Sequence, residues 1–219
     1  VSRFLGTLRH HRHRNTLEGS RRNIRHHYDL GNEFYGRFLG PTMAYSCGYF
    51  STASETVDEA QLRKFDRICR KLRLSPSAHV LEIGTGWGGF AIHAASRYGC
   101  RVTTTTISRQ QHEYAANWIA REGLSDRIEL LLEDYRELKG TYDHIVSIEM
   151  FEAVGHENYD KYFDVCDKRL APGGTMLLQT ITMNEQRFGR YLRDYDWIQK
   201  HVFPGSELAS IRGILESVA

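Results

Sequence analysis

The chain has 219 residues, 41% of them hydrophobic, with a formal net charge of +2, which is long enough for one substantial core or one domain with an extension. No apolar run approaches the ~20 residues a membrane-spanning helix needs, and no basic segment leads into an apolar stretch as in a signal peptide. The four cysteines (Cys47, Cys69, Cys100, Cys166) form no CxxC pair, which argues against a disulfide framework or a zinc site and for a reducing, cytosolic setting.

The charge is unevenly placed. Residues 1–27 hold seven arginines (Arg3, Arg9, Arg12, Arg14, Arg21, Arg22, Arg25), five histidines and one acid, Glu18, so this arm carries +6 with His neutral and residues 28–219 carry −4. Such an arm is drawn to an anionic surface, phospholipid headgroups or nucleic acid; the other reading is a solvated leader, and composition does not choose. Phe4 is its one aromatic residue before Tyr28, which weighs against base stacking and a nucleic-acid partner. Residues 28–50 are aromatic-rich and read as loop with a short helix, including an amphipathic "EFYGRFLG".

"ETVDEAQLRKFDRICRKLRL" reads as a helix, with Leu62, Phe65, Ile68, Cys69 and Leu72 at helical spacing and Asp58 and Glu59 early, where the helix dipole favours them. Strand and helix then alternate. "HVLEI", "RVTTTTI", "RIELLLED", "DHIVSIEM" and "TMLLQTITM" read as five strands, and "APGG" as the turn before the last. Between them, "GGFAIHAASRYG" is a helix closed by Gly99. "SRQQHEYAANWIAREG" is a helix with Ser108 as N-cap and Gly123 at its end, and "ENYDKYFDVCDKRL" is an amphipathic helix with Tyr159, Tyr162, Phe163, Cys166 and Leu170 on one face. The repeated β-α units predict a doubly wound, mostly parallel α/β sheet flanked by helices, with ligands beyond the carboxyl ends of the strands.

"VLEIGTGWGG" puts Gly84, Gly86, Gly88 and Gly89 between the first strand and a helix, where glycines permit a tight turn and close backbone approach to a ligand. The spacing is not GxGxxG. The strand ending in Glu82, Ile83 and Gly84 resembles the first motif of class I S-adenosylmethionine (SAM) methyltransferases, in which an acid lies near the cationic methionine end of the cofactor. In that light Asp134 and Tyr135, after the third strand, suit contact with adenine, and "LAPGGTMLL" resembles the turn before the fifth strand. The acid that often ends the second strand is absent; Thr106, Ile107 and Gln111 stand there instead, with strand packing and helix capping as their plainer roles.

"HYDLGNEFY", "MAYSCGYF", "VLEIGTGWGG", "ISRQQHEYA", "EMFEAVGHENYDKYF" and "WIQKHVFPG" together resemble the cyclopropane-fatty-acid synthase family over roughly residues 20–205. The resemblance implies transfer of the SAM methyl group to a cis double bond of an unsaturated phospholipid acyl chain. A carbocation then loses a proton to a bound bicarbonate ion, which stabilises the cation and accepts the proton. It assigns Cys47, Glu152 and the backbone of Ile181 to the bicarbonate, and Tyr45, Ser46, the loop glycines, Thr106, Gln111 and the Asp134–Tyr135 pair to SAM. Plainer readings stand beside two of these, Cys47 as a small buried hydrophobe and Glu152 as an acid at a helix N-terminus. Tyr28, Phe34, Tyr35, Phe38, Tyr45, Tyr49 and Phe50 are candidates for an aromatic wall around the cation.

Two positions depart from the family pattern: Ala153 stands where members commonly have His, and Gln179 of "LLQT" replaces the usual His at the bicarbonate. Gln donates a hydrogen bond but carries no proton charge near neutral pH. A methylene- or methyl-branched product therefore stands beside the ring. The class I sheet normally adds two further strands, so the last strands, and a segment before Val1, are expected to lie outside this sequence. The expected organisation is an arm and covering segment over residues 1–56 and a SAM-binding methyltransferase domain over residues 57–219. The protein would act peripherally on an anionic membrane, at its inner face, with a homodimer left open. The rival readings are an N-methyltransferase of a small amine on the same scaffold, and a non-catalytic lipid- or nucleic-acid-binding module.

Overall fold

The structure, a computed structural model, describes residues 15, 16, 19, 20, 31–194 and 196–219. The arginine-rich arm and Tyr28 lie, as functional expectations, outside the described residues. By its internal contacts the chain divides into two compact units. One comprises Leu30–Ile148 and Lys168–Leu178; the other comprises Glu149–Asp167 and Gln179–Ala219 with the described residues before position 30.

The first unit is built on a five-stranded sheet in the order β3-β2-β1-β4-β5, with β1 at His79–Ile83, β2 at Arg101–Thr105, β3 at Ile128–Leu131, β4 at Tyr142–Ile148 and β5 at Leu170–Gln179. β1 pairs in parallel with β2 (Val80 opposite Val102) and with β4 (Leu81 opposite Ile145), and β2 pairs in parallel with β3. The strand order therefore reverses at β1, which places the crevice for a ligand at the carboxyl end of that strand. Parallel strands covered on both faces read as continuous apolar runs, and Val80, Leu81, Glu82 and Ile83 are all buried.

The threonine run of β2 is explained by hydrogen bonding. Thr103 Oγ1 donates to Glu129 Oε2 (2.9 Å), Thr104 Oγ1 to Glu82 Oε2 (2.6 Å) and Thr105 Oγ1 to the Glu133 carbonyl (2.6 Å), so each buried hydroxyl has a partner.

Helices α1 (Asn32–Leu39), α2 (Val57–Lys71), α3 (Gly89–Tyr98) and α4 (Arg109–Arg121) complete this unit. A capping box between Thr56 and Glu59 starts α2, and Ser108 caps α4 by accepting from the Gln111 N–H. Phe65, Ile68 and Cys69 of α2, with Leu72 at its C-cap, join Phe90, Ala91, Ala94 and Ala95 of α3 and Val80, Val102 and Val146 of the sheet in one core. Leu62, expected on the buried stripe, is 44% exposed. It sits one residue off the row 61, 64, 65, 68, and the inward places there belong to Gln61 and Lys64.

In the second unit, Phe151 packs against the rings of Tyr159 (4.5 Å), Tyr162 (5.0 Å) and Phe163 (5.5 Å) of α5 (Tyr159–Arg169). A two-stranded parallel sheet pairs β6 (Thr182–Met183) with β7 (Ala209–Ser210), and short helices α6 (Glu185–Tyr191), α7 (Trp197–His201) and α8 (Ile211–Val218) surround it. The expected fifth strand is corrected at both ends. Pairing begins at Leu170, so the expected "APGG" turn lies inside β5, with Gly173 at φ 78°. The strand also breaks after Gln179, because the Thr180 hydroxyl and the Ile181 N–H both turn to the Glu152 carboxylate instead of a neighbouring strand. Among the described residues no helix is long and apolar enough to cross a membrane.

Candidate active site

After β1 the backbone doubles back: the N–H groups of Gly84 and Thr85 both donate to the Thr105 carbonyl (3.0 Å each). Gly88 caps α3 at φ 100°, and a side chain at Gly89 would collide with the Thr42 carbonyl oxygen, so neither position tolerates a Cβ. At Gly86 (φ 53°) a Cβ would meet nothing within 4 Å, which leaves the loop's outer surface open to a ligand. The first turn of α3 holds no acid, so its positive dipole end is uncompensated by a side chain. Trp87, fully buried, donates from Nε1 to Asn32 Oδ1 (2.8 Å) and tilts against Tyr35 (centroids 5.0 Å), which lies 5.5 Å from Tyr45. An aromatic stack thus ties α1 and the Tyr45 segment to the glycine loop. Of the other candidate wall residues, Phe34, Phe38, Tyr49 and Phe50 are exposed.

Residues 44–49 are fastened to α2. Gln61 Nε2 donates to the Ser46 carbonyl (2.7 Å), Lys64 Nζ donates to Ser46 Oγ (2.5 Å), and the Tyr49 N–H donates to the Ala60 carbonyl (3.0 Å). Ser46 is half-buried and Cys47 exposed, so the reading of Cys47 as a buried core hydrophobe is not what this geometry gives.

Glu82 lies beneath the loop. Burial pushes its carboxyl up to about 8, against the opposing pull of the Thr104 hydroxyl. Thr104 Oγ1 in turn lies 2.7 Å from Thr85 Oγ1, a pair in which either hydroxyl can donate. At the end of β2, Thr106 Oγ1 donates to Gln111 Oε1 (2.9 Å), which turns the Gln111 amide N–H groups the other way; Ile107 between them is half-buried. After β3, buried Asp134 is gripped by Arg136 through Nε (2.7 Å) and a terminal nitrogen (2.7 Å), so its two oxygens share local work with any ligand contact. The Arg136 guanidinium lies 5.4 Å from the Tyr135 ring centre.

Glu152, Gln179 and Ile181 belong to the second unit, where the Glu152 carboxylate meets the Ile181 N–H and Gln179 meets Glu149. Glu152 Oε1 accepts from Thr180 Oγ1 (2.9 Å) and from the Ile181 N–H (2.6 Å), whereas its buried Oε2 meets no hydrogen-bond donor among the described residues. Burial raises the carboxyl, opposed by the Ile181 N–H and the Thr180 hydroxyl. A proton on Oε2 makes that oxygen a donor. Of the Ile181 backbone, expected at a bound ion, the N–H donates to Glu152. Gln179 is clasped by Glu149: the Glu149 N–H donates to the Gln179 carbonyl (2.8 Å) and Gln179 Nε2 donates to Glu149 Oε1 (2.9 Å). Glu149 holds a left-handed backbone at φ 48° for this, a conformation costing roughly 1–2 kcal/mol in a residue with a Cβ. Alongside, Glu207 Oε2 accepts from both the N–H and Nδ1 of His156 (2.8 Å each), and the Glu207 N–H donates to the Glu152 carbonyl (2.8 Å). Among the described residues no group of three or more His, Cys, Asp or Glu could hold a metal ion.

A sequence model of the mycolic acid cyclopropane synthetase family matches residues 15–219. The chain belongs to that family. It is 44% identical over 191 residues to the cyclopropane-fatty-acyl-phospholipid synthase of Escherichia coli, covering 87% of this chain and 48% of that one. It is 40% identical over 204 residues to the tuberculostearic acid methyltransferase UfaA1 of Mycobacterium tuberculosis, covering 90% and 48%. The chain therefore spans about half the length of these curated relatives. The solved structure of mycolic acid cyclopropane synthase CmaA1 complexed with SAH and CTAB superposes with a TM-score of 0.82 at 34% identity, over 90% of this chain and 72% of that one.

Several candidate site residues escape a motif reading. Gln61 and Lys64 are polar residues on the core face of α2, and their three-residue spacing within an apolar stripe is the signal that marks them. Asn32 and Trp87 are joined across 55 positions, and His156 and Glu207 across 51; no local pattern announces such pairs.

Proposed function

We propose that the protein transfers the methyl group of SAM to the cis double bond of unsaturated phospholipid acyl chains, giving a cyclopropane or a methylene- or methyl-branched chain. The observation that carries this is the 44% identity to the Escherichia coli phospholipid synthase over 87% of the chain. SAM, when bound, supplies an electrophilic methyl group. The first unit fits such a cofactor: the open Gly86 position and the N-terminus of α3 present donors, and the Gln111 amide keeps its N–H groups for a further acceptor because Thr106 holds its oxygen. Gly84, Gly86, Gly88, Tyr45, Ser46, Thr106, Ile107, Gln111, Asp134 and Tyr135 would hold it, with Glu82 beneath the loop.

Aromatic faces favour a positive charge growing on the acyl chain, and Tyr35, Phe38 and Tyr45 form a cluster within 6.2 Å of one another. Glu152, protonated on Oε2, would donate to a bicarbonate ion, while the neighbouring Glu149 makes an ionised Glu152 a poor host for an anion. Gln179, clasped by Glu149, offers hydrogen bonds but no titrating nitrogen. That favours an outcome in which the ion, not the side chain, takes the proton. The family resemblance assigns Cys47 a part in the same chemistry. Phe34 and Phe38 on α1 are exposed, and with the basic N-terminal arm they suit peripheral attachment to an anionic membrane face.

The test is incubation of purified protein with SAM and vesicles of cis-monounsaturated phospholipid, followed by NMR of the extracted lipid. Ring protons, vinylidene signals or a new branch methyl support the proposal and tell its three products apart; an unchanged acyl chain overturns it. Methylation of a small amine from a parallel panel would establish the rival reading.

A further inference from the structure

Two polar side chains on the core face of α2 need a reason to be there, since burying an amide and an ammonium is unfavourable unless both are used. Gln61 and Lys64 are each only 3% exposed. Gln61 bonds the Ser46 carbonyl (2.7 Å) and, more loosely, the Ala44 carbonyl (3.4 Å), and this fixes the path of the backbone at Ser46. Lys64 bonds the Ser46 side chain itself, at 2.5 Å. An ammonium has donors only, so Ser46 Oγ is the acceptor in that bond, and its own hydrogen must point elsewhere. A hydroxyl that accepts from a cation is also a stronger donor, because hydrogen bonds in series polarise one another. Ser46 is half-buried, so the residue lies at the edge of the packed interior.

Its surroundings select the ligand group. Tyr45 is stacked through Tyr35 on Trp87 of the glycine loop, which opens α3 with no acid in its first turn. A buried ammonium and a helix N-terminus both favour negative charge. SAM carries one anionic group, the carboxylate of its methionine end. We propose that Lys64 is a positioning residue for the cofactor: its buried ammonium fixes the Ser46 hydroxyl as a donor toward that carboxylate. This rests on the reading of the protein as a SAM-dependent enzyme.

Calorimetry with two nucleosides tests it. S-adenosylhomocysteine keeps the amino-acid end, and 5′-methylthioadenosine has the same adenosine and sulfur without it. Lys64→Met, Lys64→Gln and Ser46→Ala should each weaken S-adenosylhomocysteine about tenfold to a hundredfold, as expected for a charge-assisted hydrogen bond. Methylthioadenosine affinity should stay within about twofold, and Lys64→Met added to Ser46→Ala should cost no more than about twofold further. Equal losses for both nucleosides in the two Lys64 variants, or additive losses in the double variant, would overturn the proposal, because a general packing role gives that pattern. Wild-type protein that binds neither nucleoside would overturn the cofactor reading itself.

Discussion

Replacing Glu82 by Gln should change how stability depends on pH. The carboxyl is fully buried and its value rises from 4.5 to about 8 through loss of hydration. In the unfolded chain it ionises near the lower value. Between the two the folded state holds a proton that the unfolded state has lost, so stability is greatest below 4.5 and falls as pH rises toward 8. The slope is about 1.4 kcal/mol per pH unit, and the full loss approaches roughly 5 kcal/mol as an upper bound. The Gln variant keeps a neutral group of the same shape, and the Thr104–Thr85 hydroxyl chain can turn either way to meet it. Urea unfolding of both proteins from about pH 5 to about pH 9 should give near-equal stabilities at the acid end. The gap in favour of the variant should widen through neutrality and level off above 8. Curves that run parallel across the range, or a gap that opens only at the acid end, would refute the reasoning.

Cys47→Ala should slow methylation at least about tenfold while leaving S-adenosylhomocysteine affinity nearly intact; wild-type turnover would remove the cysteine from the site. Gly89→Ala forces a methyl group against the Thr42 carbonyl, and should lower stability by about 1–3 kcal/mol in urea titration. The Glu207 carboxylate raises His156, so the stability from that pair is present below 6.5 and lost as pH rises through the raised value. Melting temperatures of Glu207→Gln and wild type should therefore differ most at the acid end and converge at alkaline pH, and a gap independent of pH would count against the ion pair.

The alternation of apolar strands and capped helices made the sheet readable. Ser108 and the Thr56–Glu59 box carry their own signals, and the glycine loop follows β1 as the motif requires. What the chain hides locally is long-range. The end of β5 is decided by Glu152, 28 and 29 residues away from the Thr180 hydroxyl and Ile181 N–H it attracts. A stripe drawn through apolar residues alone includes Leu62, which is exposed. Here Gln61 and Lys64 occupy the core face to hold Ser46, and a rule that sends polar residues outward passes over them. Glu149 in a left-handed backbone, clasping Gln179, is equally silent in sequence.

The central claim is carbon methylation of an acyl chain, and methyl-labelled SAM with vesicles of a cis-monounsaturated phospholipid tests it most directly. Mass spectrometry of the released fatty acids should show one added CH2 unit bearing the label at the former double bond. Label recovered only on a nitrogen of headgroup or added amine, with the acyl chains unchanged, would contradict it.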